Sequence, residues 1–297
     1  MTDHALAAEL ASEAGRLLLD VRDGLGFADA RALKDTGDLR AHEYLMARLA
    51  ERCPGDAVLS EEGRASVAGK RSAGSSEAPT ANSSLADRLA SPRVWIVDPL
   101  DGTREFAEEG RLDWAVHVAL WTGDRLAAGA VALPGRGVTL HTTGSGAAVL
   151  PTGPGASGWT SDTAGSGGPE AGPLVVPEPA DPGRLRIAVS RSRPPAFLED
   201  LAKRVPGELD LVPIGSAGAK ISAVLLGEVD AYVHAGGQYE WDSAAPAAVA
   251  LAAGSHASRI DGSPLVYNRA DPRLPDILVC HPVSAPTLLT GIRDVAS

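Results

Sequence analysis

The sequence has only two cysteines in 297 residues, Cys53 and Cys280, far apart and without a C-x-x-C pair. That excludes a disulfide scaffold, argues against a zinc site, and fits a reducing compartment in which the thiols are small core residues. Positive charge is also scarce. Lys and Arg number 27 against 38 Asp and Glu, a formal net charge of −11, so nucleic-acid polymers and anionic membrane surfaces are poor partners. A small anionic substrate stays compatible, given local cations from Arg, Lys or metal. No run reaches the ~20 apolar residues of a membrane span, and Asp3, Glu9, Glu13 and Arg16 interrupt any signal-peptide core. A cytoplasmic protein is expected. Aromatics are few, but 44% of residues are hydrophobic, enough for one large domain or two smaller ones.

What is present has a clear order. Leu6, Leu10, Leu17, Leu18 and Val21 fall at helical spacing behind a Thr2 or Asp3 cap. A second helix is expected over 39–52 and a short strand in "AVLSEEG". Residues 64–91, rich in Ser, Ala and Gly, read as a flexible loop. Strand patterns follow in "RVWIVD", "DWAVHVALW", "RLAAGAVALP" and "GVTLHTT", separated by turns at Gly123-Asp124 and Pro134-Gly135, which suggests an antiparallel meander. Residues 144–183 are rich in Gly, Pro and Ser and read as a mobile insertion or linker. Beyond them strands ("LRIAVS", "LDLVPI", "DAYVH", "PLVYN", "DILVCH") alternate with helices ("PAFLEDLAKRV", "SAGAKISAVLLGEV", "WDSAAPAAVALAAG", "APTLLTGIRDVA"). The expected organisation is an α+β part over 1–143, the 144–183 segment, and an α/β part over 184–297.

The stretch "VWIVDPLDGTREF" carries the chemistry. An apolar strand, buried on both faces, ends in Asp98 and Asp101. Pro99 stops the ladder and Gly102 permits a sharp turn into a helix that begins near Thr103. Two unpaired buried carboxylates repel, and one must take a proton unless a cation intervenes. Hard oxygen ligands argue for Mg²⁺ or Mn²⁺. Each acid taken alone has an ordinary role: Asp98 and Asp242 as helix caps, Asp101 in a turn, Glu61-Glu62 as surface charge, and Asp38 just ahead of a helix. Together they form a set, each at the end of an element, that could converge.

Other sites fail on spacing. An EF-hand needs glycine at its sixth position, and here it falls at the fifth. "GRASVAGKRS" and "GSAGAK" both miss the phosphate-loop pattern. No G-x-S-x-G is present for a serine hydrolase, and the seven histidines are scattered.

The combination of "EEG", "WIVDPLDGTREF" and "EWDSAAPAAVALAAG" resembles the inositol monophosphatase superfamily of magnesium-dependent, lithium-sensitive phosphatases. The resemblance covers nearly the whole chain except the two low-complexity stretches. Within the superfamily, "DGTREF", "VSRSR" and "GSAGAK" look most like the bacterial 3′(2′),5′-bisphosphate nucleotidases, of actinobacterial type. The resemblance implies a layered α-β-α-β-α sandwich with the metal site between its two parts, two or three Mg²⁺ ions, and a phosphorylated nucleotide, 3′-phosphoadenosine 5′-phosphate or its phosphosulfate, as substrate. It leaves open a homodimer.

Residue roles follow from the same resemblance. Glu61, Asp98 and the Leu100 carbonyl would hold one ion, and Asp98, Asp101 and Asp242 a second. Asp38 would help hold a third. Thr103 would orient the attacking water near Glu61 or Asp38, while Gly102 and Thr103 amides bind phosphate oxygens. Ser190, Arg191 and Lys220 would face the nucleotide. The chain departs from relatives at His234, where Arg is common, and at Asp35-Thr36, where relatives have a T-x-A-D pattern. The alternatives are an inositol 1-phosphate or fructose 1,6-bisphosphate phosphatase on the same metal site, and a catalytically silent phosphate-binding protein. The presence of all the principal acids and Thr103 counts against the silent protein.

Overall fold

The computed structural model describes residues 1–63, 83–152, 172–181, 183–192 and 194–296. Helices α1 (Asp3–Leu25) and α2 (Ala30–Arg52) lead into strand β1 (Ala57–Ser60). Helix α3 (Leu85–Ala90), β2 (Arg93–Asp101), helix α4 (Thr103–Phe106), β3 (Ala115–Thr122), β4 (Arg125–Leu133), β5 (Val138–Thr143), β6 (Gly146–Pro151) and β7 (Gly172–Leu174) follow. The rest is β8 (Arg184–Ser190), α5 (Leu198–Leu201), β9 (Glu208–Ile214), α6 (Ala217–Leu225), β10 (Ala231–Tyr239), α7 (Glu240–Ala252), β11 (His256–Ser258), β12 (Arg273–Cys280) and α8 (Ala285–Ala296).

One sheet runs β1 to β7 in chain order, with β1 parallel to β2 and the others antiparallel. The second has the order β11-β12-β10-β8-β9, with parallel pairing among β10, β8 and β9. Alternation along β2 sends Trp95 and Val97 into a core shared with α1 and α2, and Val94 and Ile96 into a core shared with α6 and α7. The other side of α6 and α7 meets the second sheet through Ala188, Tyr232, Ile277 and Val279. The far face of that sheet is covered by α5 and α8 through Leu198, Leu201, Leu288 and Ile292. The layers are therefore α-β-α-β-α, as the resemblance implied. No helix among the described residues is long and apolar enough to cross a membrane.

Several local expectations need correction. Helix α2 starts at Ala30, because the Asp29 side chain accepts from the amides of Arg31 and Ala32. Asp38 therefore lies inside a helix and not just ahead of one. Within 64–91, Leu85–Ala90 is helical behind a Ser84 cap, and 64–82 lie outside the described residues. Strands β6 and β7 extend the first sheet from both ends of 144–183, and 153–171 again lie outside. The helix expected in "PAFLEDLAKRV" shrinks to Leu198–Leu201 within a string of turns. "PLVYN" is no strand. Its Asn268 has φ 59°, and the amides of Asn268 and Arg269 bond the Glu240 carboxylate, not a neighbouring strand. The edge strand beside β12 is His256–Ser258.

Candidate active site

Asp98 and Asp101 share a side of the sheet because of a one-residue bulge. Asp98 pairs with His117 and Asp101 with Ala115, three steps on β2 against two on β3. Without the extra residue, positions three apart would face opposite ways. The Leu100 amide donates to Asp98 Oδ1 at 3.1 Å. Gly102 then turns the chain at φ 87°, where a Cβ would lie 2.9 Å from Ser216 Cβ. Thr103 begins α4, and its hydroxyl donates to the Leu100 carbonyl at 3.2 Å.

Asp242 arrives from α7. It sits in the first turn and not at the cap itself, which is Tyr239, and its Oδ2 accepts from the Tyr239 amide at 2.6 Å. Pro246 lies in the helix interior, so the Asp242 carbonyl has no amide hydrogen four residues on to receive. The helix entry is anchored by Glu240, which is fully buried and takes the Asn268 and Arg269 amides at 2.7 and 2.8 Å. Arg88 braces that turn through the Asn268 side chain and the Arg269 carbonyl.

Asp98, Asp101 and Asp242 come together: one carboxylate oxygen from each lies within 4.8 Å of those of the other two. Burial, followed by repulsion from Glu61, Asp101 and Asp242, pushes the Asp98 carboxyl well above the usual carboxylate range. Burial and Asp101 do the same to Asp242. Glu61, just past β1, lies outside that tight trio but within its field. Desolvation, then Glu62, Asp101 and Asp38, push it up to about 7. Asp38 on α2 faces Glu62 and is likewise pushed up to about 7, burial being the larger cause. Asp98 Oδ2 is buried without a hydrogen-bond partner among the described residues. An orphaned carboxylate oxygen amid converging acids fits a hard divalent cation.

All six residues expected to face substrate, Gly102, Thr103, Ser190, Arg191, Lys220 and His234, line one cavity of about 270 Å³ with Asp101 and Asp242. Lys220 is buried, not solvated. Its ammonium donates to the Gly215 and Ser216 carbonyls and lies 5.4 Å from the Tyr232 ring centroid. Burial pushes its pKa down. Arg191 is held by Glu105 at 2.8 Å and Glu108 at 3.3 Å. His234 Nε2 donates to the Gly236 carbonyl.

Two contributors escaped the sequence reading. Glu105 holds Arg191 from within "DGTREF". His117, fully buried on β3, approaches Asp101 Oδ2 at 3.2 Å. Burial pushes its pKa down, while Asp101 and the Trp241 carbonyl act in the opposite sense. The available signal was a single polar residue in the otherwise apolar strand "WAVHVALW".

Known proteins are similar to this chain over most of its length. A 3′-phosphoadenosine 5′-phosphate phosphatase from Mycobacterium leprae is 48% identical over 304 residues, covering 99% of this chain and 95% of its own. The 3′(2′),5′-bisphosphate nucleotidase CysQ of Escherichia coli is 29% identical over 264 residues, 87% of this chain and 91% of its own. The crystal structure of CysQ from Bacteroides thetaiotaomicron superposes with a TM-score of 0.71 at 27% identity, covering 93% and 96% of the two chains. The inositol monophosphatase family model matches residues 4–293. With that match over nearly the whole chain, and a relative 48% identical to it, the chain belongs to the inositol monophosphatase family.

Proposed function

We propose that this phosphatase hydrolyses the 3′-phosphate of 3′-phosphoadenosine 5′-phosphate, releasing AMP and inorganic phosphate, and that it uses Mg²⁺ to do so. The observation that carries this reading is one cavity lined by two members of the aspartate cluster, Asp101 and Asp242, together with Ser190, Arg191, Lys220 and His234, in a chain 48% identical to a mycobacterial relative of that name.

Asp98, Asp101 and Asp242, with Glu61 at the edge and Asp38 beyond it, are the residues that would hold the metal. A bound divalent ion supplies Lewis acidity toward a phosphoryl oxygen and toward water. The protein does the rest by placement. Thr103 spends its hydroxyl hydrogen on the Leu100 carbonyl, so its remaining lone pairs accept from a water and aim it at phosphorus. Glu61 is the nearby acceptor for that water's proton. The ester bond to the 3′-oxygen breaks as the water oxygen bonds phosphorus, and the leaving oxygen takes a proton from solvent. Lys220, Arg191, Ser190 and His234 orient the nucleotide and offer cationic or polar partners to its 5′-phosphate. The 5′-phosphosulfate form presents the same 3′-phosphate and is a second expected substrate.

The test is phosphate release by purified protein with Mg²⁺ on 3′-phosphoadenosine 5′-phosphate, inositol 1-phosphate and fructose 1,6-bisphosphate, with and without lithium. A kcat/KM preference of about a hundredfold for the nucleotide, ~2.7 kcal/mol of differential transition-state binding, is expected. Preference for inositol or sugar phosphate would keep the metal chemistry and overturn the substrate.

A further inference from the structure

His117 touches every segment that carries a metal-binding aspartate of the central trio. Its Cα is the β3 register partner of Asp98. Its Nδ1 lies 3.0 Å from the Trp241 carbonyl, immediately before Asp242. A carbonyl only accepts, so Nδ1 carries the hydrogen. Its Nε2 lies 3.2 Å from Asp101 Oδ2. The same Oδ2 accepts from the Gly218 amide at 2.7 Å. A Cβ at residue 218 would stand 2.1 Å from His117 Nε2, so only glycine leaves the ring its place.

An imidazole is a costly occupant for this position. It has no exposed surface and lies between Val116 and Val118 on a buried strand. An apolar side chain of similar volume would avoid the desolvation penalty. Both ring nitrogens point to ligand-bearing segments, one on β2 and one on α7. The ring is thus a strut across a sequence separation of 124 residues.

We propose that His117 is a positioning residue that sets Asp101 and the start of α7 in the arrangement a divalent cation needs. It does not touch substrate. Its Nδ1–H bond to the Trp241 carbonyl holds the start of α7, and with it Asp242, through the backbone, while its Nε2 edge, which carries no hydrogen, walls the Asp101 carboxylate into the position where the Gly218 amide binds it. Partners of this kind are worth roughly ten- to hundredfold in metal affinity. The inference rests on the reading of the aspartate cluster as a cation site.

The experiment titrates Mn²⁺ into metal-free protein without substrate and follows free Mn²⁺ by electron paramagnetic resonance. Wild type, His117→Leu, His117→Gln and Gly218→Ala are compared, each with its melting temperature in chelator. His117→Leu is expected to weaken Mn²⁺ affinity by roughly ten- to hundredfold. His117→Gln, which can keep one of the two contacts, falls between. Gly218→Ala displaces the ring and also weakens binding. In turnover, the Mg²⁺ concentration for half-maximal rate rises by a similar factor, while KM for the nucleotide at saturating Mg²⁺ changes by less than about twofold, because the ring acts on the metal ligands and not on substrate. A folded His117→Leu with wild-type Mn²⁺ affinity overturns the inference. If that variant does not fold, unchanged affinity in both His117→Gln and Gly218→Ala overturns it. Failure of the wild type itself to bind Mn²⁺ would instead remove the cation site on which the inference stands.

Discussion

Arg191 Nη1 meets Glu105 Oε1 at 2.8 Å, joining the end of a strand in the second sheet to the short helix that follows the paired aspartates of the first. Both side chains line the cavity that Asp101 and Asp242 also line. The guanidinium is therefore already oriented toward the site, but by carboxylates that an incoming phosphate must rival. Arg191→Ala is expected to raise KM for 3′-phosphoadenosine 5′-phosphate by about tenfold, ~1.4 kcal/mol, with kcat little changed. Steady-state kinetics on the nucleotide and on a small phosphate ester check this. Equal effects on both would remove Arg191 from nucleotide recognition.

Asp101→Asn keeps the shape of the side chain and its acceptor for the Gly218 amide, yet removes a charge from the cluster. Turnover is expected to fall by roughly a thousandfold or more, as for loss of a group that stabilises transition-state charge. The circular dichroism spectrum should match wild type. Near-normal activity in excess Mg²⁺ would take Asp101 out of the metal set.

The metal-free protein should lose stability as pH rises. Glu61 and Asp38 titrate near 7 in the fold, against about 4 in an unfolded chain. The folded state thus binds more protons than the unfolded state between those values, so stability falls as pH climbs from about 4 through about 7. Asp98 and Asp242, shifted upward by burial, act in the same sense. Melting temperatures in chelator at pH 5 and pH 8 are the measurement, with the lower value expected at pH 8. Added Mg²⁺ should restore more at pH 8 than at pH 5, because it binds the ionised acids. A flat profile would argue that these carboxyls are solvated.

Lys220→Met retains the apolar stem and deletes the ammonium. The Gly215 and Ser216 carbonyls each lose a donor, a cost of about 1–3 kcal/mol if they stay buried, readable as a lower denaturant midpoint. KM for the nucleotide should rise more than KM for the small ester. A proportional change in both would mark Lys220 as a purely structural brace.

Most strands and helices were legible in local pattern, in alternating β-formers, helical spacing and a strand cut short by Pro99, whereas the layering and the aspartate trio came from the resemblance carried by "WIVDPLDGTREF" and "EWDSAAPAAVALAAG". What escaped depends on contacts between distant segments. Nothing in the local pattern sets Asp29, the cap of α2, apart from the other acids of a polar stretch, and so the pattern alone puts Asp38 outside its helix. "PLVYN" has strand composition, but Glu240, buried 28 residues away, captures the amide of Asn268. The burial of Lys220 shows only once Tyr232 and two carbonyls are folded around it. The bulge that turns Asp98 and Asp101 to one side is visible only when β3 is laid beside β2.

The middle layer, α6 and α7, is clasped on both faces at once. Any change in side-chain size there must suit two surfaces, and the room is small: a Cβ on Gly129 of β4 would stand 2.6 Å from the Ala248 side chain of α7. This accounts for the alanine and glycine of "SAGAK" and "SAAPAAVALAAG". Helices α1, α2, α5 and α8 each cover one sheet from outside and can absorb a larger residue by shifting outward. Random mutagenesis with selection for folding should therefore leave a map of tolerance graded by depth, sparse along the central pair and dense on the flanks, with Asp242 fixed to the part of the molecule least able to drift.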